Sequence, residues 1–187
     1  MVLLVVGVLL FALAHFVPAL DLDLRRRSLE RFGRDGHRGV FSLVVLASVA
    51  LIVLGWRGTE PTFLYAPAPW SRVFANVSMA LAFFLFVASG APSNVKRVLR
   101  HPQLLGIVVW SIAHLVANGD VRSCVLFGGL GAWAVSMIPA LNRRDGAWVR
   151  PERRPVRADL VVTAIAAVVF LGVRWAHPWF AGVSAVY

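Results

Sequence analysis

Long apolar stretches constrain this chain more than any other feature. Six can be read from the sequence, and most are close to the roughly 20 residues that a membrane-spanning helix needs. They cover residues 2–20, 40–56, 73–91, 103–118, 121–141 and 158–175. Hydrophobic residues make up 59% of the 187 positions and charged residues only 15%, which is not typical of a water-soluble domain. The sequence therefore predicts an all-α membrane helix bundle of about six transmembrane helices, formed by a single domain over residues 1–187.

The basic residues are distributed unevenly between the two sides of this bundle. Residues 21–38, 96–100 and 143–157 are rich in Arg and Lys, whereas the other side has only Arg57, Arg72, Arg122 and Arg174. Because short basic loops stay in the cytoplasm, we predict that both termini are extracytoplasmic. The first stretch has no basic segment before it, which favours a retained helix over a cleaved signal peptide. The expected location is the bacterial inner (cytoplasmic) membrane, crossed several times.

The net charge of +10 does not by itself indicate a nucleic-acid partner. The basic residues lie at helix ends, as topology signals and contacts to anionic lipid do, and no basic stripe is interleaved with exposed aromatic residues. Cys124 is the only cysteine, which excludes an intrachain disulfide, a CxxC pair and the CxxCH attachment of a c-type haem. Any haem would be held noncovalently, and the expected non-protein partner is the lipid bilayer.

The fourth apolar stretch contains the most informative polar residues. A period of 3.6 residues places Gln103, Trp110, His114 and Asn118 along one stripe of an otherwise apolar helix. Polar and ionisable side chains at membrane depth are costly, so such a stripe is expected to face the bundle interior. His114 could be a structural histidine that hydrogen-bonds between helices, or a metal or haem ligand.

The other histidines differ in their surroundings. His15 lies inside the first predicted helix and needs a partner from another helix, because no acidic residue is close to it in sequence. His101 precedes Pro102, which fits the first position of a helix, so His101 is expected to cap the fourth helix. His37 and His177 are expected to be interfacial, with His177 starting a short tail after the sixth helix.

Several strings in the chain resemble one family. They are Arg-His-Pro-Gln-Leu-Leu-Gly at 100–106, Trp110 followed by Ala-His-Leu at 113–115, Asn-Gly-Asp at 118–120, Leu-Phe-Gly at 126–128, and the terminal His-Pro-Trp at 177–179 with Gly-Val-Ser at 182–184. Together they look like the NnrU family, whose small bacterial membrane proteins are linked by name to nitrite and nitric oxide reduction. That family is similar to the plant zeta-carotene isomerase, and the likeness covers nearly the whole chain.

The resemblance implies a noncovalent haem b between the first and fourth helices. The axial histidines of the isomerase relatives correspond here to His15 and His114, which are the predicted metal ligands. Arg100 and the run Arg25–Arg27 are the nearest candidates to bind the haem propionates. The role implied is redox or isomerase-like, with a link to denitrification. The isomerases also have a cysteine three residues before the second histidine, where this chain has Ser111. The predicted cofactor-binding residues are His15, His114, His101, Arg100, Trp110 and Asn118.

Helix geometry leaves the choice of histidine pair open. His15 should lie about 7 Å from the cytoplasmic edge, whereas His114 lies 13 residues beyond His101, roughly 20 Å along the fourth helix. The expected depths of His15 and His114 therefore differ by about 10 Å. Helix tilt could close this gap; otherwise His15 and His101 form the better pair.

Two other functions remain open at this stage. Arg-His-Pro near a membrane helix is shared with S-adenosylmethionine-dependent methyltransferases of the isoprenylcysteine type, although the later Glu and Tyr-x-x-Tyr pattern of those enzymes is missing here. The chain could also be a noncatalytic accessory subunit of a respiratory or denitrification complex. The partners expected from these readings are a redox or denitrification protein and an apolar small-molecule substrate.

Overall fold

Helices account for almost all regular structure in this protein. The computed structural model describes residues 1–182, and within them extended pairing is limited to an isolated bridge between Phe63 and Asp120. The all-α prediction is confirmed. In chain order the elements are α1 (Val2–Leu20), α2 (Leu22–Arg57), α3 (Ser71–Gly90), α4 (Val95–Val98), α5 (Pro102–Ala117), α6 (Val121–Ser123), a π-helical turn (Cys124–Gly128), α7 (Gly129–Asp145) and α8 (Val156–Ala181).

Five helical segments in the described part of the chain are long and apolar enough to cross a membrane. They are α1, α2, α3, the segment from α6 to α7, and α8. The prediction of a multi-pass membrane protein is confirmed. The fourth predicted helix is α5, which has 16 residues and is therefore about 24 Å long, shorter than the roughly 30 Å hydrocarbon core. It is short because Pro102 starts it and Asn118 leaves helical geometry at its other end.

The arginine-rich segment over 21–38 is helical, which corrects our prediction of a loop. The Asp21 carboxylate caps this helix by accepting a hydrogen bond from the Leu24 amide at 2.8 Å. Gly33, at φ 68°, interrupts α2 and divides it into a first part over 22–32 and a second part over 34–57. A hydropathy pattern finds only the second part, because the first is a charged helix without an apolar window.

Glycines allow α1 and α2 to pack closely against each other. A Cβ on Gly7 would lie 2.8 Å from the Ile52 amide nitrogen, and one on Gly55 would lie 2.7 Å from the Leu4 Cα. Close backbone approach at small residues is a common way for membrane helices to associate, since burial from water contributes little there. The contact aligns α1 beside the second part of α2.

The two ends of the bundle are held differently. At the arginine-rich end, where α1 ends and α5 begins, Ala19, Leu104 and Trp133 belong to one buried apolar cluster. At the opposite end, the loop between α2 and α3 is tied to the end of α5, because the Tyr65 hydroxyl donates to the Leu115 carbonyl. Burial raises the pKa of Tyr65, so the hydroxyl remains a donor over the physiological pH range. This loop lies beside the cavities described next.

Candidate functional site

His114 lies on α5, one turn before that helix ends. Its Nδ1 is 2.9 Å from the Trp110 carbonyl oxygen. Because a carbonyl can only accept, Nδ1 carries the proton and Nε2 keeps its lone pair. The ring stacks on Phe127, with ring centroids 4.3 Å apart and planes 22° apart. The imidazole is therefore held in one orientation and one tautomer, as metal-binding histidines usually are.

Two adjoining cavities meet at His114, with volumes of about 290 and 240 Å³. Side chains from α3, α5 and α8 form most of their common wall. Most of the lining is apolar, with a few polar groups, as in typical sites for small molecules and cofactors. The residues that line both cavities are Met79, Phe83, His114, Asn118, Val173 and His177.

The polar groups of the larger cavity come from three helices. Arg72 and Asn76 of α3 and Arg174 of α8 line it together with Asn118. The Asn118 side chain donates to the His114 carbonyl at 2.9 Å, which fixes it beside the histidine. Two guanidinium groups near one cavity suit a carboxylate or phosphate, which arginine binds through paired hydrogen bonds. The smaller cavity is more apolar and includes Trp110.

His177 was missed as a member of this site. We predicted that it starts a tail after the sixth helix, but α8 continues to Ala181 and Pro178 lies inside it. His177 is therefore part of α8 and lines both cavities, so the expectation of a tail is wrong. The sequence does contain an indication of this position. Phe170, Arg174 and His177 are spaced four and three residues apart, which places them on one face of a helix.

The predicted stripe of α5 is confirmed in part. Trp110, His114 and Asn118 all line the smaller cavity, and therefore face the bundle interior. Gln103 is exposed, although its neighbours Pro102 and Leu104 on the same turn are buried.

Comparison with known proteins identifies the chain's relatives. The profile of the NnrU protein family matches residues 3–185, which is nearly the whole sequence. The chain belongs to the NnrU family. No curated protein and no solved structure gives a significant match. The resemblance read from the α5 strings is thereby confirmed for NnrU.

The other histidine that the NnrU resemblance assigns, His15, lies in different surroundings. Its Nδ1 donates to the Phe11 carbonyl at 2.8 Å, so its tautomer matches that of His114. Its ring packs against Phe11, Phe41 and Trp133, with centroid distances of 4.3, 5.2 and 5.0 Å. His15 is not among the described residues that line either cavity at His114.

An estimate of the separation of His15 and His114 follows from the aromatic residues they contact. His15 packs on Trp133 and His114 on Phe127, six positions away on the same helical segment. Six residues correspond to about 9 Å of rise. Two imidazoles on one metal ion need coordinating nitrogens only about 4 Å apart, twice a metal–nitrogen distance of roughly 2 Å. The rise between the two contacted residues is larger than this spacing, and the pairing of His15 with His114 stays a prediction.

His101 and Arg100 lie at the arginine-rich end of α5, away from the cavities. The His101 Nε2 is 2.9 Å from the Asn142 side-chain oxygen, so this histidine ties the start of α5 to the end of α7. Arg100 precedes His114 by 14 residues, about 21 Å along the helix. Neither residue lines the two cavities within the described part of the chain.

The donor set around His114 fits a haem better than a bare metal ion. The described residues contain no group of three or more His, Cys, Asp or Glu side chains placed to hold a metal. A haem iron needs only one or two protein ligands, because the porphyrin supplies four. The lining offers imidazoles for an iron, apolar side chains for a macrocycle and arginines for its carboxylates.

Proposed function

We propose that this protein binds haem b noncovalently in the two adjoining cavities, with His114 as an axial ligand. The observation that carries the proposal is the state of His114. Its Nδ1–H is held by the Trp110 carbonyl, its Nε2 keeps a lone pair, and its ring lines both cavities. A hydrogen bond at one imidazole nitrogen that leaves the other available is the usual arrangement of a metal-binding histidine.

His177 is the second axial ligand in this proposal. It comes from α8, across the cavities from α5, and lines the same two cavities as His114. The family resemblance assigns that role to His15 instead. His15 packs among Phe11, Phe41 and Trp133, and none of these three residues lines the cavities. The geometry therefore favours an imidazole pair from α5 and α8.

The propionates have a different partner from the one predicted from sequence. Arg72 and Arg174 line the larger cavity, whereas Arg100 lies about 21 Å along α5 from His114. Charge-assisted bonds from guanidinium to carboxylate are strong enough to orient a bound cofactor. We therefore assign the propionate contacts to Arg72 and Arg174.

The proposed role is one-electron redox chemistry linked to nitrite and nitric oxide metabolism, in the bacterial inner membrane with a redox partner protein. A haem iron with two imidazole ligands supplies electron transfer. An isomerase-like role is less well supported because of Ser111, which replaces the isomerases' cysteine. Ser111 is buried, and a Cβ on Gly131 of α7 would lie 2.9 Å from its Cβ. It packs toward α7 and is not among the described residues lining the cavities.

The test is the haem content and spectrum of single histidine variants. Cells supplied with a haem precursor would express the wild type and the His114→Ala, His177→Ala and His15→Ala variants. His37→Ala is a matched control, because His37 bonds to Ser28 outside the cavities. We expect His114→Ala to lose haem, and His177→Ala to lose haem or to change from low-spin to high-spin iron. Electron paramagnetic resonance distinguishes these last two results.

The spectra of these variants distinguish the proposed ligand pair, His114 and His177, from the alternatives. His15→Ala should behave like the control, and loss of low-spin iron in His15→Ala but not in His177→Ala would refute our ligand pair. Restoration of the spectrum by added imidazole in His114→Gly separates a lost ligand from a folding defect. Binding of S-adenosylmethionine to a haem-free wild type in titration calorimetry would support the methyltransferase alternative and overturn the proposal.

A further inference from the structure

A second cavity system lies at the arginine-rich end and is independent of the haem proposal. It is a groove of about 580 Å³ between α1 and the two parts of α2. Gly33 creates it, because the change in chain direction there places the first part of α2 at an angle to the second part. Leu13 of α1 and Val40 of α2 belong to its apolar walls and are 58% and 48% exposed.

Three arginines line this groove: Arg25, Arg27 and Arg31. None of them forms an ion pair with a carboxylate in the described residues. Arg27 reaches only the Asp23 backbone carbonyl, at 3.4 Å, and the Arg31 guanidinium lies 5.7 Å from the Phe32 ring centroid. The groove is therefore strongly positive.

Two neighbouring arginines that do not line the groove have acidic partners. Arg26 pairs with Asp23 at 3.2 Å and with Glu30 at 3.9 Å. Arg38 lies 3.9 Å from Asp35. Asp23, Glu30 and Asp35 are thus paired away from the groove, and three of the four arginines of this segment without an ion pair line the side that carries the apolar walls.

We propose that this groove is a binding site for an anionic phospholipid. Its acyl chain would lie along the exposed apolar walls of α1 and the second part of α2, and its phosphate would contact the three arginines. Guanidinium groups bind phosphate through paired hydrogen bonds. The Ser28 hydroxyl and the His37 Nδ1, which lie 2.8 Å apart in the lining, add polar groups at the same level. A zwitterionic lipid would match the walls but not the charge.

The test uses delipidated, detergent-purified full-length protein and native mass spectrometry. Phosphatidylglycerol and phosphatidylcholine with identical acyl chains would be titrated separately. The groove variant replaces Arg25, Arg27 and Arg31 with Gln. The matched control replaces Arg26, Arg34 and Arg38 with Gln, which removes the same charge from the same helix outside the groove. Thermal unfolding and gel filtration verify that both variants are folded.

We expect the wild type to retain phosphatidylglycerol and not phosphatidylcholine. Each basic residue near an anionic lipid strengthens binding about fivefold, so the groove variant should bind on the order of a hundredfold more weakly. The control should change much less. Equal losses in both variants, equal retention of both lipids, or full displacement of the lipid by millimolar inorganic phosphate would each overturn the site. Haem content should be unchanged in the groove variant.

Discussion

Gly55→Ala tests the close packing of α1 on α2, which positions the whole N-terminal half of the bundle. A Cβ at Gly55 would lie 2.7 Å from the Leu4 Cα and 2.9 Å from the Leu3 carbonyl carbon. Real Cβ contacts are not this short, and the atoms in the way belong to the backbone, so no side-chain rotation can relieve the overlap. Leu4 is fully buried, which leaves it little room to move.

The size of the effect follows from two opposing contributions. Replacing a helical glycine with alanine stabilises a helix by about 0.5–1 kcal/mol. Overpacking typically costs about 1–3 kcal/mol, and backbone atoms place Gly55 near the upper limit. The expected net destabilisation is about 2 kcal/mol, which lowers Tm by roughly 4–8 °C for a chain of this size.

The measurement is a thermal melt in detergent, monitored by circular dichroism or tryptophan fluorescence. Gly172→Ala in α8 is the matched control, because a Cβ at Gly172 would meet no atom within 4 Å apart from the backbone of its own helix. That variant should melt about 2 °C above the wild type, from helix propensity alone. If Gly55→Ala melts at or above the wild type, as the control does, the packing of α1 against α2 described here is incorrect.

Two further predictions concern the end of the bundle nearest the cavities. Replacing both Arg72 and Arg174 with Gln should reduce haem retention during purification, whereas Arg100→Gln should not. The reverse pattern in pyridine haemochrome assays would support the sequence-based assignment of the propionates to Arg100. Asp120→Ala should destabilise the start of α6 by about 1–2 kcal/mol, since the Asp120 carboxylate accepts from the Ser123 amide at 3.0 Å and hydroxyl at 2.8 Å. Faster amide exchange at 121–124 would verify this, and unchanged exchange would refute it.

The membrane-spanning segments could be predicted because their cause is local. A bilayer requires about 20 apolar residues per helix, and that requirement is visible in any window of the sequence. The first part of α2 was missed for the same reason. Its start is fixed by the Asp21 cap, which does not change the mean hydropathy of a window.

The candidate site could be predicted only as far as one helix allows. The α5 stripe correctly placed Trp110, His114 and Asn118 toward the interior. The partners of that stripe depend on which helices pack against α5, and no local pattern gives this. His177 was assigned to a tail because the sixth apolar stretch was read to end at residue 175. Here, α8 instead continues through Pro178 to Ala181.

The visible absorption spectrum of the purified wild type tests the central claim most directly. Protein from cells with an adequate haem supply would be measured oxidised and dithionite-reduced, with a pyridine haemochrome assay on the same sample. We expect a Soret band, reduced α and β bands, and a haemochrome of haem b near one equivalent per chain. A folded but colourless protein that also fails to take up added haem would contradict this claim.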